Sequence, residues 1–163
     1  MVTRTPAAKP APAHDPQALQ RLDRQLCFAL YSSSLLMTKL YKPVLAPLGL
    51  TYPQYLVLLV LWETDAIAVG ELGARLFLDS GTLTPLLKRM AASGLLSRSR
   101  ATDDERRVIV TLSAAGRALR RKAQRVPLDV ACATGCGLDE IAELTERLQA
   151  LRDRIAGQVA TAA

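Results

Sequence analysis

Cys27 lies in the run Leu26-Cys27-Phe28-Ala29-Leu30-Tyr31, a thiol set among apolar and phenolic side chains. The chemistry open to such a group is oxidation. A thiolate attacks an oxidant, becomes a sulfenic acid, and is trapped as a disulfide by a second thiol. Cys132 and Cys136 supply candidate second thiols, and Tyr31 supplies a nearby hydroxyl able to donate to sulfur. The plain alternative is an inert packed thiol, because free cysteine is among the most buried residue types.

The chain has 163 residues, enough for one domain with a real core. Three cysteines are too few and too widely spaced for a disulfide scaffold. A Cys132/Cys136 metal pair lacks two further ligands, and the one histidine, His14, is far away in the sequence. No metal or cofactor is therefore expected. No Ser/His/Asp set or phosphate-cradling loop is present, so an enzyme is not expected either. No stretch reaches the roughly 18 apolar residues of a membrane span; the densest run, Tyr55 to Trp62, reads as core. Residues 1–16 are rich in Ala and Pro without an apolar signal segment, and are expected to be a disordered tail. The expected compartment is a reducing cytoplasm, with the cysteines as free thiols. The formal net charge of +6 fits a polyanionic partner, though it also fits plain solubility.

The apolar spacing predicts a helix from about Gln17 to Leu45, ended by Pro43 and Pro47-Leu48-Gly49. Thr51 caps a second helix, with Pro53 in its first turn, running to about Glu63. A short helix over Glu71–Phe77, a turn at Leu78-Asp79-Ser80-Gly81 and a helix from about Ser80 to Ala92 follow, with Asp79 as cap and Gly94 as left-handed terminator. Leu95–Arg100 and Val108–Leu112 read as a hairpin with a polar tip. Ser113 caps a helix from about Ala114 to Arg125, interrupted by Pro127. Cys132 and Cys136 then fall in a loop-like stretch before a last helix, about Leu138–Gln158. Its residues Ile141, Leu144, Leu148, Leu151 and Ile155 make the narrow seam of helix pairing.

A short helix, a tight turn and a second helix is the pattern of a helix-turn-helix. In the second helix Leu83, Leu86, Leu87 and Met90 face a core. Ser80, Thr82, Thr84, Lys88 and Arg89 lie opposite, where hydroxyls reach bases or phosphates and cations neutralise phosphate. Pro85 removes the hydrogen bond to the Gly81 carbonyl and predicts a slightly distorted start. Arg106 and Arg107 at the hairpin tip can enter a minor groove, with Asp104 placed to orient a guanidinium. Each of these charges alone is also compatible with an ordinary solvated surface.

The stretches Glu71-Leu72-Gly73-Ala74-Arg75-Leu76, Asp79 to Met90, Gly94-Leu95-Leu96 and Asp103-Asp104-Glu105-Arg106 resemble MarR-type winged helix-turn-helix regulators, a match spanning roughly Leu22 to Gly157. The resemblance implies a homodimer on a pseudo-palindromic, double-stranded operator, with Arg106 as the wing arginine and Asp104 as its support. Leu22 to Tyr31 and Gly49-Leu50-Thr51-Tyr52-Pro53-Gln54-Tyr55 are similar to the OhrR branch, which responds to organic hydroperoxides. That similarity implies Cys27 as the peroxidatic thiol and Tyr41 and Tyr52 as phenols bonding it. It also implies a resolving cysteine in the Cys132/Cys136 region of the other subunit, with Cys132 preferred.

Geometry constrains this site. Tyr31, four residues from Cys27, shares its helix face. Tyr41, fourteen residues on, shares it too but sits about 21 Å further along a straight helix. It reaches Cys27 only from another chain, or if the helix breaks. Cys27 falls about ten residues into the predicted helix, where the helix dipole contributes little.

The expected fold is mainly α, a winged helix-turn-helix (51–113) with a helical dimerisation region built from residues 17–50 and 114–160. The expected function is a repressor that leaves operator DNA when organic hydroperoxide oxidises Cys27 and a disulfide forms with Cys132. Two rivals are a MarR-type regulator released by an apolar or phenolic ligand, and a thiol peroxidase consuming many equivalents of peroxide.

Overall fold

The computed structural model describes residues 20–102, 104 and 106–162. The predicted tail over 1–16, residues 17–19 of the predicted first helix, His14, Asp103 and Glu105 lie outside the described residues. The chain divides into two compact units, one ending at Thr38 and the other running from Lys39.

Seven α-helices are described: α1 Leu26–Leu45, α2 Tyr52–Glu63, α3 Val69–Leu76, α4 Ser80–Ala92, α5 Ala114–Lys122, α6 Val126–Thr134 and α7 Leu138–Ala162. Three strands, β1 Ile67–Ala68, β2 Leu96–Arg100 and β3 Val108–Leu112, form an antiparallel sheet in the order β1-β3-β2. The hairpin pairs Leu96 with Leu112 and Arg100 with Val108. The fold is mainly helical, a winged helix-turn-helix in which α3 and α4 form the helix pair and β2–β3 the wing.

The second unit is organised around α2. Its Tyr55, Val57, Leu58, Val60 and Leu61 are buried, a helix apolar on nearly every side because other elements surround it. Leu72, the α4 stripe Leu83, Leu86, Leu87 and Met90, and Leu96, Val110 and Leu112 of the wing complete the core. Burying each such side chain contributes about 1.5–3 kcal/mol, so the α4 stripe fixes which way the helix faces. Thr51 N–H donates to Gln54 Oε1 at 2.8 Å at the start of α2.

Polar ties join α2 and the residues after it to the wing and α5. Asp65 Oδ1 accepts from the Leu112 N–H at 2.8 Å, while its Oδ2 pairs with Arg117. Trp62 Nε1 donates to the Gly116 carbonyl at 3.0 Å. Gly116 sits hard against the neighbouring backbone. An added Cβ would lie 2.1 Å from the Leu95 carbonyl oxygen and 3.1 Å from a Leu112 methyl. Alanine gains about 1 kcal/mol of helix propensity over glycine, but the backbone cannot yield that much space. Gly116→Ala is therefore expected to destabilise by about 3 kcal/mol net, a fall in Tm of roughly 6–12 °C by calorimetry.

Three expectations are corrected. The first helix begins at Leu26, not near Gln17: Leu22–Arg24 is a single 3-10 turn, and Gln25 is extended at φ −87°, ψ 114°. The apolar spacing of Leu22 and Leu26 continues the helical pattern, but both are exposed, so no packing enforces the helix there. Second, Pro127 does not open a loop. It occupies the first turn of α6, where its missing N–H has no intrahelical role, so Cys132 is helical; Gly135, at φ 73°, ends α6. Third, β1 is an additional strand, two residues long and too short to leave a periodic signal.

Candidate functional site

α4 begins with a side-chain cap. Asp79 Oδ1 accepts from the Thr82 N–H at 2.8 Å and Oδ2 from the Thr82 hydroxyl at 3.0 Å. These bonds hold the Asp79 carboxyl below its ordinary value of 3.8, so the cap weakens only as pH falls through the acid range. The preceding turn closes tightly: the Leu78 N–H reaches the Gly73 carbonyl at 3.0 Å, and a Cβ on Gly73 would lie 2.8 Å from the Leu78 oxygen. Phe77 takes the left-handed conformation there, at φ 55°.

Ser80, Thr82, Lys88 and Arg89 are exposed on α4, and Thr84 is half-buried. The four apolar partners predicted to face inward are all buried. The helix runs unbroken across Pro85. Thr82 spends its hydroxyl proton on Asp79, which leaves that oxygen able to accept a hydrogen bond rather than donate a second one.

At the wing tip the Arg106 N–H donates to Asp104 Oδ1 at 3.0 Å, and the Arg107 N–H to the Asp104 carbonyl at 2.9 Å. The Arg106 guanidinium stands 3.6 Å from the same carboxylate, an ion pair rather than a hydrogen bond, and its side chain is 95% exposed. Asp104 thus shapes the tip chiefly through the backbone, and Arg106 is left extended into solvent.

The thiol residues occupy distinct settings. Gln25 caps α1, its carbonyl accepting from the Ala29 N–H at 3.0 Å, so Cys27 is the second helical residue. The expectation of a place ten residues into a helix is corrected: Cys27 sits in a first turn, where amide N–H groups lack intrahelical acceptors and the dipole presents its positive end. Cys27 and Tyr31 are exposed. Cys132 is exposed on α6; Cys136 is half-buried in the link after Gly135, its N–H bonded to Thr134 Oγ1 at 3.3 Å.

Tyr41 and Tyr52 are brought together, with ring centroids 4.5 Å apart. Tyr55 lies 6.1 Å from Tyr41 and meets Trp62 edge-on at 6.1 Å. Burial, then the neighbouring Tyr52 and Tyr55, push the Tyr41 phenol up to about 12; burial also raises Tyr52. Both phenols therefore keep their protons at neutral pH and remain hydrogen-bond donors. Asp65 and Arg98 were not foreseen as structurally important. Arg98 was legible in principle, since strand alternation puts it on the face of Leu96.

A capped reading helix, a basic wing and a three-stranded sheet are the geometry of a known regulator class. Residues 39–122 match a family model described as transcriptional regulator SarA/Rot. The chain belongs to this family of MarR-type winged-helix regulators. It is 50% identical to the HTH-type transcriptional regulator TtmR of Methylorubrum extorquens (strain PA1) over 141 residues, 86% of this chain and 71% of that one. It is 53% identical to the organic hydroperoxide resistance transcriptional regulator of Bacillus subtilis (strain 168) over 107 residues, 66% of this chain and 73% of that one. Among solved structures, reduced AbfR bound to DNA aligns with a TM-score of 0.74 at 34% identity, covering 88% of this chain and 98% of that one. Overoxidised AbfR bound to DNA gives 0.69 at 37% identity over 85% and 98%, and disulfide-formed AbfR 0.56 at 38% over 83% and 95%. This MarR-type regulator is a DNA-binding protein, and its relatives are transcriptional regulators. No single helix among its described residues is long and apolar enough to cross a membrane.

Proposed function

We propose that this regulator is a homodimeric repressor whose reduced form holds operator DNA, and whose Cys27 is oxidised by organic hydroperoxides, releasing the DNA. The adjoining, protonated pair Tyr41 and Tyr52, with ring planes tilted by 39°, carries this reading. Two phenols that stay neutral are donors suited to an anionic sulfur.

Tyr41 follows Cys27 by fourteen residues, about 21 Å along a straight helix. The phenols that meet Cys27 come from the second subunit. Apolar exposure supports that dimer. Leu144 (46%), Leu148 (47%) and Ile155 (49%) lie open along α7, which is 25 residues long and has no buried residue. An apolar stripe of that length is stable in water only when covered, and a twofold-related copy covers it in kind.

The chemistry balances with the peroxide as oxidant. The Cys27 thiolate attacks the O–O bond, and with one proton gives Cys27–SOH and an alcohol. The Cys132 thiol then displaces water from that sulfenic acid, leaving a disulfide. The thiolate is the form that begins the sequence. The exposure of Cys132, against the half-burial of Cys136, supports Cys132 as the partner.

The proposal is tested by a gel shift of full-length protein with and without cumene hydroperoxide, with mass analysis of the cysteine peptides. Release without mass change at Cys27 would overturn it. Arg106→Ala is expected to weaken duplex binding about tenfold and lower its salt slope by about 1, with the dimer intact by sedimentation. Unaltered affinity at physiological salt would remove the wing from the interface.

A further inference from the structure

Arg98 is the third residue of β2, opposite Val110 in the ladder and on the same strand face as the buried Leu96. Its Nε is buried and has no hydrogen-bond partner among the described residues. A desolvated N–H without an acceptor is costly, and more so on a cation. Such groups are rare in natural structures, and each calls for a physical reason.

The side chain lines a groove of about 370 Å³ at the base of the wing, together with Val69 and Gly70 of α3, Thr84 of α4, and Arg106 and Arg107. Among the described residues, every charged one in that wall is an arginine. The first turn of α3 has no side-chain cap, so its amides add partial positive charge; Glu71, the acidic residue of that turn, is not in the wall. A Cβ on Gly70 would meet nothing within 4 Å, so packing does not demand glycine there; the bare backbone leaves room for a bulky anion to approach.

We infer that Arg98 holds a backbone phosphate of duplex DNA in this groove, between the start of α3 and the wing. The inference rests on the DNA-binding reading and names a contact within it. A phosphodiester oxygen in the groove accepts from the guanidinium N–H groups that line it, in charge-assisted bonds. Arg106 projects at the tip; Arg98 is recessed and does not reach base edges. Its contact therefore sets the position of the wing on the duplex and carries no sequence information.

The test uses reduced, full-length protein, a duplex selected by the wild type from a random pool, and a scrambled duplex, with anisotropy titrations over a series of salt concentrations. Arg98→Gln is expected to weaken both duplexes by a similar factor, about tenfold, and to lower the slope of log K against log salt by about 1. Arg98→Lys keeps the slope. Gly70→Glu, which puts a carboxylate at the groove, reproduces the loss. An unchanged slope for Arg98→Gln, or a loss confined to the selected duplex, overturns the inference. If circular dichroism shows Arg98→Gln unfolded, Gly70→Glu decides alone, and an unchanged slope there overturns it. A wild type that binds neither duplex in a salt-dependent way overturns the DNA-binding reading itself, a result distinct from a binding wild type with unaltered variants.

Discussion

Cys27→Ser protein should bind its operator as the wild type does and stay bound when cumene hydroperoxide is added. Serine has nearly the shape of cysteine, so the exposed first turn of α1 accepts it without repacking. Its hydroxyl is no nucleophile toward an O–O bond, and the oxidation never starts. The wild type should lose operator affinity by about a hundredfold or more under the same conditions, on the order of 3 kcal/mol, because a shift between subunits removes one half-site from a two-site grip. The contrast is large enough to see by gel shift at one protein concentration. Normal release of the serine variant would place the sensing chemistry elsewhere.

Cys132→Ser asks a different question, whether release needs the disulfide or only a spent thiol. Its relative AbfR has been solved on DNA in both the reduced and the overoxidised state, and separately with its disulfide formed. This chain aligns better with the two DNA-bound forms, at 0.74 and 0.69, than with the disulfide form, at 0.56. A disulfide requires α-carbons roughly 4.4–6.8 Å apart, so closing one between distant helices moves backbone; oxygen added to a sulfur need not. The Cys132→Ser variant is thus expected to be oxidised at Cys27 at the wild-type rate, to show no disulfide-linked dimer on a non-reducing gel, and to keep most of its operator affinity. If Cys136→Ser shows that behaviour instead, Cys136 is the resolving thiol despite its half-buried place. If the Cys132→Ser protein releases DNA fully, disulfide closure is not the switch.

The reading helix was legible because its apolar stripe is complete. Leu83, Leu86, Leu87 and Met90 repeat at helical spacing, and Asp79 marks the start. The hairpin was legible from its β-branched run and polar tip, while its register came only with the structure. The start of α1 was misread because spacing records where apolar residues fall and not whether anything packs on them. Leu22 and Leu26 keep the helical interval yet are 60% and 56% exposed, and the backbone breaks between them. The consequence is chemical: the break puts Cys27 at the positive end of a helix rather than in its middle. The α6 error has a similar root. A proline reads as a breaker, but in a first turn it costs nothing, so the distinction depends on where the preceding helix has already ended.

The sequence by itself determined the class of protein: a winged reading head, a basic face, and a thiol with phenols in helical register, all of which are local patterns of period and type. Tertiary structure alone decided that Tyr41 and Tyr52, eleven residues apart on two helices, meet at 4.5 Å between ring centroids and are half-buried. It alone decided that Arg98 lies recessed with a buried, unpaired N–H. Desolvation and long-range contact are properties of the folded surroundings, and no local pattern in a chain records them.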